Sequence, residues 1–370
     1  MRRRERRAAE RLTITAMSDR KASGPPRWRK VAGVASTVAV VVAVFGFVLP
    51  GVADYGDVLD AVSAMTWLEV VTLVLAALWN LATYQPALMA ALPGLRFGQA
   101  FQVSQASTAV SNTVPAGAAF GVGLSAAMYR SWGFKRRPVA LSLLVGGIWN
   151  IFLKLALPIV AVAILVLSGN SGGGLVAAAI AGLVALAAAL VLGAAILRSE
   201  HAASAIGDWG SNRVSGVRRW FGKEPIGGFG RTLVKFRRET IDLLRTRWVA
   251  ITVATVTSHL SLVVVLLVAL RHVGVSEHEV AWQEVLATFA FVRLLSALPV
   301  TPGGLGVIEL GLTGGLVAAG GDHAGVVAAV LVYRALTYLP PIPLGALCYV
   351  VWRRSTAGHQ VDEPELEPLP

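Results

Sequence analysis

The chain has 370 residues, of which 55% are hydrophobic and only 15% are charged, with a mean hydropathy of +0.65. An average soluble domain is about 45 to 50% apolar and about 25% charged, so a soluble globular fold is excluded. The net charge of +12 does not indicate nucleic-acid binding, because the basic residues cluster at the ends of apolar segments, as in cytoplasmic loops of membrane proteins.

Six apolar runs are long enough to cross a bilayer as helices. A hydrocarbon core about 30 Å thick requires about 20 helical residues, each of which rises about 1.5 Å. In chain order the predicted spans are Val31–Leu49, Trp67–Leu92, Pro138–Leu167, Gly174–Leu197, Trp248–Leu270 and Ala324–Trp352. The sequence therefore predicts an all-α polytopic membrane protein with about six full transmembrane helices.

Two further apolar stretches, Phe97–Met128 and Val285–Val317, are interrupted near their middles by proline and glycine. Such residues free backbone N–H and C=O groups, which lipid cannot satisfy, so each stretch should line protein or water as a broken re-entrant hairpin. The Gly-x-x-x-Gly spacing in the first stretch also indicates close helix packing. The residues expected at the two breaks are Pro115, Gly117, Gly121, Pro302, Gly303, Gly304 and Gly306.

Lys and Arg in the loops predict the orientation, because cytoplasmic loops carry them in excess. Residues 1–30 form a strongly basic tail, which we expect to be cytoplasmic, while residues 50–66 contain three aspartates and no Lys or Arg. This second segment is expected outside, as a short amphipathic helix at the interface or as a simple turn. Residues 198–247 are basic and predict a cytoplasmic loop. Four apolar residues in this loop recur at helical spacing, which suits either an interfacial helix or a soluble surface helix. They are Leu233, Phe236, Ile241 and Leu244.

The two broken stretches have opposite flanking charges. Arg96 precedes the first and Arg130 follows it, so both of its ends should be cytoplasmic, whereas Glu284 and Asp322 place both ends of the second outside. The result is an inverted repeat, with residues 31–168 as the first membrane repeat and 174–352 as the second. Residues 353–370 form an acidic, proline-rich tail that should be disordered. Arg353 and Arg354 at its start place the C-terminus in the cytoplasm.

Inverted repeats are common in transporters, whose substrate sites lie near the midplane where interrupted helices meet. The strongest motif here, TPGGLGVIELG, contains Glu309 and follows Arg293 within one such break. An ionisable group in hydrocarbon costs at least about 2.5 to 3.5 kcal/mol, so it is usually paired or functional. Two interpretations stay open: an Arg293–Glu309 pair that holds the hairpin closed, or contact of Arg293 with an anionic lipid head group.

The Pro-Gly-Gly-Leu-Gly-Val-x-Glu stretch at 302–309 is followed in the last span by VYRALTYLP at 332–340. Together these motifs resemble the lysylphosphatidylglycerol synthase transmembrane-region family of bacterial and archaeal membrane proteins. The resemblance extends over roughly Val31 to Trp352. It is weaker in the first hairpin, where Pro115 and the glycines after it follow the family pattern only loosely.

The resemblance implies a lipid-translocating, multi-pass protein of the bacterial cell (inner) membrane. In the two-part synthases this region is associated with flipping an aminoacylated lipid, and a separate soluble domain carries out aminoacyl transfer. The tail after Trp352 is far too short to fold as such a domain, so we expect no aminoacyl-transfer activity from this sequence.

Further polar residues lie within the predicted spans. Arg334 matches the tyrosine-arginine pair of the family and would either pair within the bundle or contact a head group. Lys154 and Asn150 share a helical face suited to a cavity lining, although Pro158 could kink this helix or divide the run into two short helices. His259 is expected to be a hydrogen-bonded core residue, with a proton relay as the other interpretation.

The leading functional hypothesis is a flippase-like transporter of a lipid or lipid-linked intermediate. Anionic phospholipid or polyprenyl-phosphate head groups would suit a site with three cations and one anion. The residues expected to bind substrate are Arg293, Glu309, Arg334, Lys154 and Asn150. An accessory subunit that docks a lipid-modifying enzyme or a glycosyltransferase is the alternative, and a membrane enzyme using these groups for acid–base chemistry is a third.

Signatures of catalysis were not found in the sequence. The six histidines lack zinc-ligand spacing, and neither a GxxxxGK[ST] loop nor a GxSxG turn is present. The single cysteine, Cys348, lies in an apolar run and should be a packing residue. We therefore expect no catalytic residues, metal or cofactor. The sequence leaves open whether the chain forms a homo-oligomer or binds a partner enzyme.

Overall fold

The computed structural model describes residues 63–114, 117–168, 229–296 and 301–357, together with six isolated positions at 56, 60, 184, 187, 188 and 191. Two predicted spans, 31–49 and 174–197, lie outside the described residues. So do the N-terminal tail, nearly all of the outer loop, the first part of the central loop and residues 358–370.

Within the described ranges the chain is helical apart from short turns, which confirms the all-α prediction. The helices are α1 Trp67–Thr83, α2 Gln85–Ala91, α3 Phe97–Thr113, α4 Gly117–Ser131, α5 Arg136–Leu167, α6 Phe229–His272, α7 Trp282–Leu295, α8 Val307–Ala318, α9 His323–Tyr338 and α10 Pro341–Ala357, with one 3₁₀ turn at Pro302–Gly304.

Four helical stretches among the described residues are long and apolar enough to cross a membrane. They are Trp67–Ala91, Arg136–Leu167, Arg238–His272 and His323–Thr356, and they coincide with four of the six predicted spans. Large apolar side chains such as Leu75, Ile151 and Leu347 are exposed on them. Such surfaces are unfavourable in water and are satisfied by lipid, so the chain is a multi-pass membrane protein.

The helix boundaries differ from the sequence prediction at three places. Helix α6 begins at Phe229 rather than near Trp248, so the separate helix expected in the central loop is the first part of this 44-residue helix. Helix α5 runs unbroken through Pro158, so the alternative of two short helices is wrong. The last predicted span, in contrast, is divided at Leu339–Pro340 into α9 and α10, because proline cannot continue the backbone hydrogen-bond ladder.

Helices α1 and α2 meet at a kink next to Pro86. Proline lacks the N–H that a continuous helix would use, and it restricts the residue before it. The Gln85 side chain compensates in part, because its Nε2 donates to the Leu81 carbonyl at 2.8 Å. The span therefore bends without leaving this carbonyl unpaired.

Both predicted hairpins are present. Helix α3 has 17 residues and α8 has 12, which correspond to lengths of about 26 and 18 Å at 1.5 Å per residue. These lengths are shorter than the hydrocarbon core of about 30 Å. Helices α3 and α4 pack on each other, as do α7 and α8, so each pair enters the bundle and returns.

Helix α3 ends at Thr113 and α4 begins at Gly117, so two glycines that were expected to form the break lie within α4. Pro115 lies outside the described residues. Gly117 and Gly121 are both helical, and a Cβ at either position would lie less than 3 Å from atoms of Ser111. They are therefore packing residues that allow α4 to approach α3 closely, as their Gly-x-x-x-Gly spacing indicated.

The second hairpin turns in the predicted Pro-Gly-Gly-Leu-Gly segment. Gly303, Gly304 and Gly306 have φ values of 59°, 71° and 80°, in the left-handed region that side chains with a Cβ rarely adopt. Pro302 begins the short 3₁₀ turn that these glycines extend. The turn connects α7 to α8 within the bundle and forms the tip of the second hairpin.

Charge divides the molecule into two ends, here called the basic end and the acidic end. Helix α10 ends beside the end of α4, where Trp352 Nε1 donates to Ser131 Oγ at 2.8 Å. The basic end carries Arg96, Arg130, Lys135, Arg136, Arg137, Arg247, Arg353 and Arg354.

At the acidic end, α6 finishes beside the start of α1, where Thr72 Oγ1 and His272 Nε2 are 2.7 Å apart. The acidic end carries Glu69, Glu277, Glu279, Glu284 and Asp322.

The helices pack across the two halves of the chain in a reciprocal way. Helix α3 of the first hairpin packs on α10 of the last span, while α7 of the second hairpin packs on α5. The spans α1 and α6 pack on each other. Each hairpin therefore packs on the last span of the other half of the chain, which is the arrangement that an inverted repeat produces. The repeat boundaries at 31–168 and 174–352 stay a prediction, because part of each lies outside the described residues.

Candidate functional site

A buried ion pair lies directly behind the tip of the second hairpin. Glu309 is in the first turn of α8, where its Oε2 accepts a hydrogen bond from the Gly306 backbone N–H at 2.8 Å. Its Oε1 accepts from Arg334 Nε at 2.6 Å, and the two side chains are only 1% and 9% exposed. The carboxylate is therefore both the cap of α8 and the partner of a cation from α9.

The same arginine also holds the hairpin turn. Arg334 Nη2 donates to the Gly303 carbonyl at 3.2 Å, and its guanidinium lies 4.5 Å from the centre of the Tyr338 ring. A carbonyl in a left-handed turn has no helical partner, so this contact satisfies a group that lipid could not. Glu309, Arg334 and the turn form one unit, here called the tip pair.

The tips of the two hairpins meet at Asn112. This residue is in the last turn of α3, and its carbonyl accepts from the Tyr338 hydroxyl at 2.7 Å. Asn112 Nδ2 donates in return to the Tyr338 carbonyl at 3.4 Å. A Cβ at Gly303 would lie 2.8 Å from Asn112 Oδ1 and would overlap the Tyr338 ring. A polar contact therefore joins the two breaks inside the bundle.

Arg293 does not pair with Glu309. It is partly buried in the last turn of α7, and its Nε is buried without a hydrogen-bond partner among the described residues. The predicted Arg293–Glu309 pair is wrong because Arg334, from a different helix, occupies the carboxylate. Tyr84, Tyr333 and Arg334 are within electrostatic range of the Arg293 guanidinium.

Lys154 and Asn150 lie on α5, which packs against α7. The charges of Lys154 and Arg293 are close enough to repel each other. Asn150 Oδ1 is buried and has no partner among the described residues. Neither cation forms an ion pair with a carboxylate in the described part of the chain. We call Asn150, Lys154, Arg293 and His259 the central polar cluster.

His259 of α6 is a buried, hydrogen-bonded residue, as predicted, and it lies beside the other three residues of this cluster. Its Nδ1 lies 3.0 Å from the Thr255 carbonyl, and its Nε2 is buried without a partner in the described residues. Arg293 and Lys154 both act on it electrostatically.

The five predicted site residues thus fall into two adjoining groups. Glu309 and Arg334 form the tip pair, and Arg293, Lys154 and Asn150 belong to the central polar cluster. Sequence reasoning missed Asn112, and it named Tyr338 only as part of a motif. A signal for Asn112 was available, because it is a polar residue three positions before the proline of the first break.

Comparison with known families gives one result. A family model described as "Lysylphosphatidylglycerol synthase TM region" matches residues 34–345, which is well over half of the chain. Comparison with curated proteins finds no match. The matched region includes both hairpins, the tip pair and the central polar cluster.

Proposed function

The chain belongs to the lysylphosphatidylglycerol synthase transmembrane-region family, and from this premise we propose that it moves an anionic lipid or lipid-linked intermediate between the two leaflets. Membership confirms the family expected from the PGGLGVIE and VYRALTYLP motifs and assigns the chain a lipid-related function in the membrane. The step from this general role to transport is the proposal, and it depends on the central polar cluster.

The observation that carries the proposal is an excess of positive charge inside the bundle. Arg293 and Lys154 lie on the packed helices α7 and α5 without a carboxylate partner among the described residues, and the carboxylate at the adjacent hairpin tip, Glu309, is bound by Arg334. A cation held in hydrocarbon without a partner is costly, so such residues usually mark a substrate or ion pathway. An anionic head group would offset both charges through charge-assisted hydrogen bonds.

The position of the cluster suits transfer between leaflets rather than binding at one surface. Helices α3 and α4 enter the bundle from the basic end, α7 and α8 enter from the acidic end, and their tips meet at Asn112 and Gly303. Lys154 lies near the middle of α5, 18 residues from its start at Arg136 and 13 from its end at Leu167, or about 27 and 20 Å along the helix axis. A head group bound there would be deep in the hydrocarbon, where broken helices form the sites of many transporters.

The chemistry of the cluster favours a head group that bears a phosphate and a net negative charge. The Arg293 guanidinium and the Lys154 ammonium offer several donors to the oxygens of one anion, and Asn150 offers an amide. Anionic phospholipids and polyprenyl phosphates share this feature. In the proposal the tip pair stabilises the hairpin turn beside the site.

Leaflet exchange in liposomes tests the proposal. The purified full-length chain is reconstituted with fluorescent phosphatidylglycerol, and dithionite quenching reports the label that reaches the outer leaflet. We expect exchange above that of empty liposomes, and a marked loss in Arg293→Ala. Arg354→Ala is the matched control, because it removes an exposed arginine at the end of α10. Exchange equal to empty liposomes for every lipid tested would favour the accessory-subunit alternative.

The proposed location is the bacterial inner membrane, with the basic end in the cytoplasm, as the excess of Lys and Arg there indicates. Single cysteines at Asp322 and Arg354, in a Cys348→Ser background, test this orientation in intact cells. An impermeant maleimide should label the cysteine at 322 and should spare the one at 354. The reverse pattern would place the acidic end inside and would contradict the orientation.

A further inference from the structure

A groove opens at the basic end of the molecule, where α5 begins beside α6. It consists of two cavities of about 480 and 430 Å³, and both are lined by Pro138 and Leu141. The groove is distant from the central polar cluster, because Leu141 precedes Lys154 on α5 by 13 residues, or about 20 Å. It is therefore a separate feature that the proposed transport site does not use.

The rim of the groove is positively charged. Lys135, Arg136 and Arg137 line one cavity and Arg247 lines the other, whereas Glu239 is the only acidic residue among the lining residues. Lys135, Arg136 and Arg137 are exposed. A rim of four cations and one carboxylate attracts an anion to this position.

The floor of the groove is apolar. Leu92 and Leu243 are buried beneath it, together with the partly exposed Leu141. The apolar surface continues down α5 through Leu144 and Ile148, which are 52% and 40% exposed toward the region where lipid would lie. A small soluble anion would leave this surface uncovered, whereas an acyl chain would cover it.

Trp248 marks the level of the groove in the membrane. It follows Arg247 in α6 and is 54% exposed. An exposed tryptophan next to a basic residue is typical of the membrane–water interface. The rim is therefore at head-group height, and the floor is at the height of the first acyl carbons.

We propose that this groove binds one anionic diacyl phospholipid, with its phosphate on the basic rim and an acyl chain on the leucine floor. Charge complementarity selects the head group, and the apolar floor selects a lipid over a soluble anion. The bound lipid is distinct from the transported one, and its binding does not depend on transport.

Native mass spectrometry of the full-length protein tests this inference. The protein is released from micelles that contain equal amounts of phosphatidylglycerol and phosphatidylcholine. We expect phosphatidylglycerol to be retained preferentially, and the double variant Arg136→Gln/Arg137→Gln to bind it roughly tenfold more weakly, since each basic residue near an anionic surface adds measurable attraction. Arg353→Gln/Arg354→Gln is the matched control, because it removes two charges from the same end outside the groove.

Three results would overturn the inference. Equal loss in both double variants would mean general attraction to charge, and unchanged retention in Arg136→Gln/Arg137→Gln would mean that the groove is not the site. Displacement of the lipid by millimolar inorganic phosphate would indicate a soluble anion instead. A photoactivatable acyl chain should label the segment that contains Leu141 and should fail to do so in the groove variant. Leaflet exchange measured in parallel separates failure of the groove from failure of the transport proposal.

Discussion

The ion pair between Glu309 and Arg334 should dominate the stability of the second hairpin. Arg334→Met removes the 2.6 Å bond to Glu309 and the 3.2 Å bond to Gly303. The carboxylate then stays 1% exposed with only the Gly306 N–H as a partner. Leaving one charge of a buried pair uncompensated costs about 3–5 kcal/mol, and we expect Arg334→Met to lower the free energy of unfolding by that amount.

The double variant Glu309→Leu/Arg334→Met distinguishes a coupled pair from two independent contacts. It leaves no unpaired buried charge. It loses mainly two hydrogen bonds, one from the Gly306 N–H to Glu309 and one from Arg334 to the Gly303 carbonyl, each worth about 1 kcal/mol. We therefore expect it to be more stable than Arg334→Met alone, measured by denaturing-detergent titration of the purified chain. Glu277→Gln is the control, since the Arg271–Glu277 pair is half exposed and should contribute at most about 1 kcal/mol. Additive losses in the double variant would refute the coupling.

Three further substitutions, with Gly98→Ala as a control, test the packing of the tips and helices by the same titration. Gly303→Ala should cost more than about 1–2 kcal/mol, because a left-handed residue gains a Cβ that overlaps Tyr338, while Gly98→Ala, with open space around it, should be neutral or slightly stabilising. Gly345→Ala should separate α10 from α3, since its Cβ would overlap a backbone carbonyl, and a stability equal to that of wild type would contradict this packing. Tyr338→Phe should lose about 1 kcal/mol through its bond to the Asn112 carbonyl, and no loss would show that the tips do not meet there.

The broken hairpins were predictable because their cause is local. Proline and clustered glycines cannot continue a helix, and their effect does not depend on which helices surround them. Gly303, Gly304 and Gly306 accordingly adopt the left-handed conformations that the PGGLG segment requires. The charges at the two ends were predictable for the same reason, because they belong to the residues of each loop.

The partner of Glu309 was not predictable, because it depends on which helix faces meet. Arg293 is 16 residues away in the chain and Arg334 is 25 residues away, and sequence separation does not decide between them. The start of α6 at Phe229 was missed because its first part is basic, and hydropathy indicates where a helix enters lipid rather than where it begins. Gly117 and Gly121 illustrate a third limit, since glycine serves both in turns and in close helix contacts.

The most direct test of the central polar cluster is its selectivity for charge. In proteoliposomes, the exchange rate of fluorescent phosphatidylglycerol is compared with that of phosphatidylcholine for the wild-type chain and for Lys154→Ala/Arg293→Ala. Loss of charge-assisted contacts worth about 1.5–3 kcal/mol predicts a decrease of roughly 10- to 100-fold for the anionic lipid and little change for the zwitterionic one. An equal effect on both lipids, or none on either, would contradict recognition of an anionic head group by these two cations.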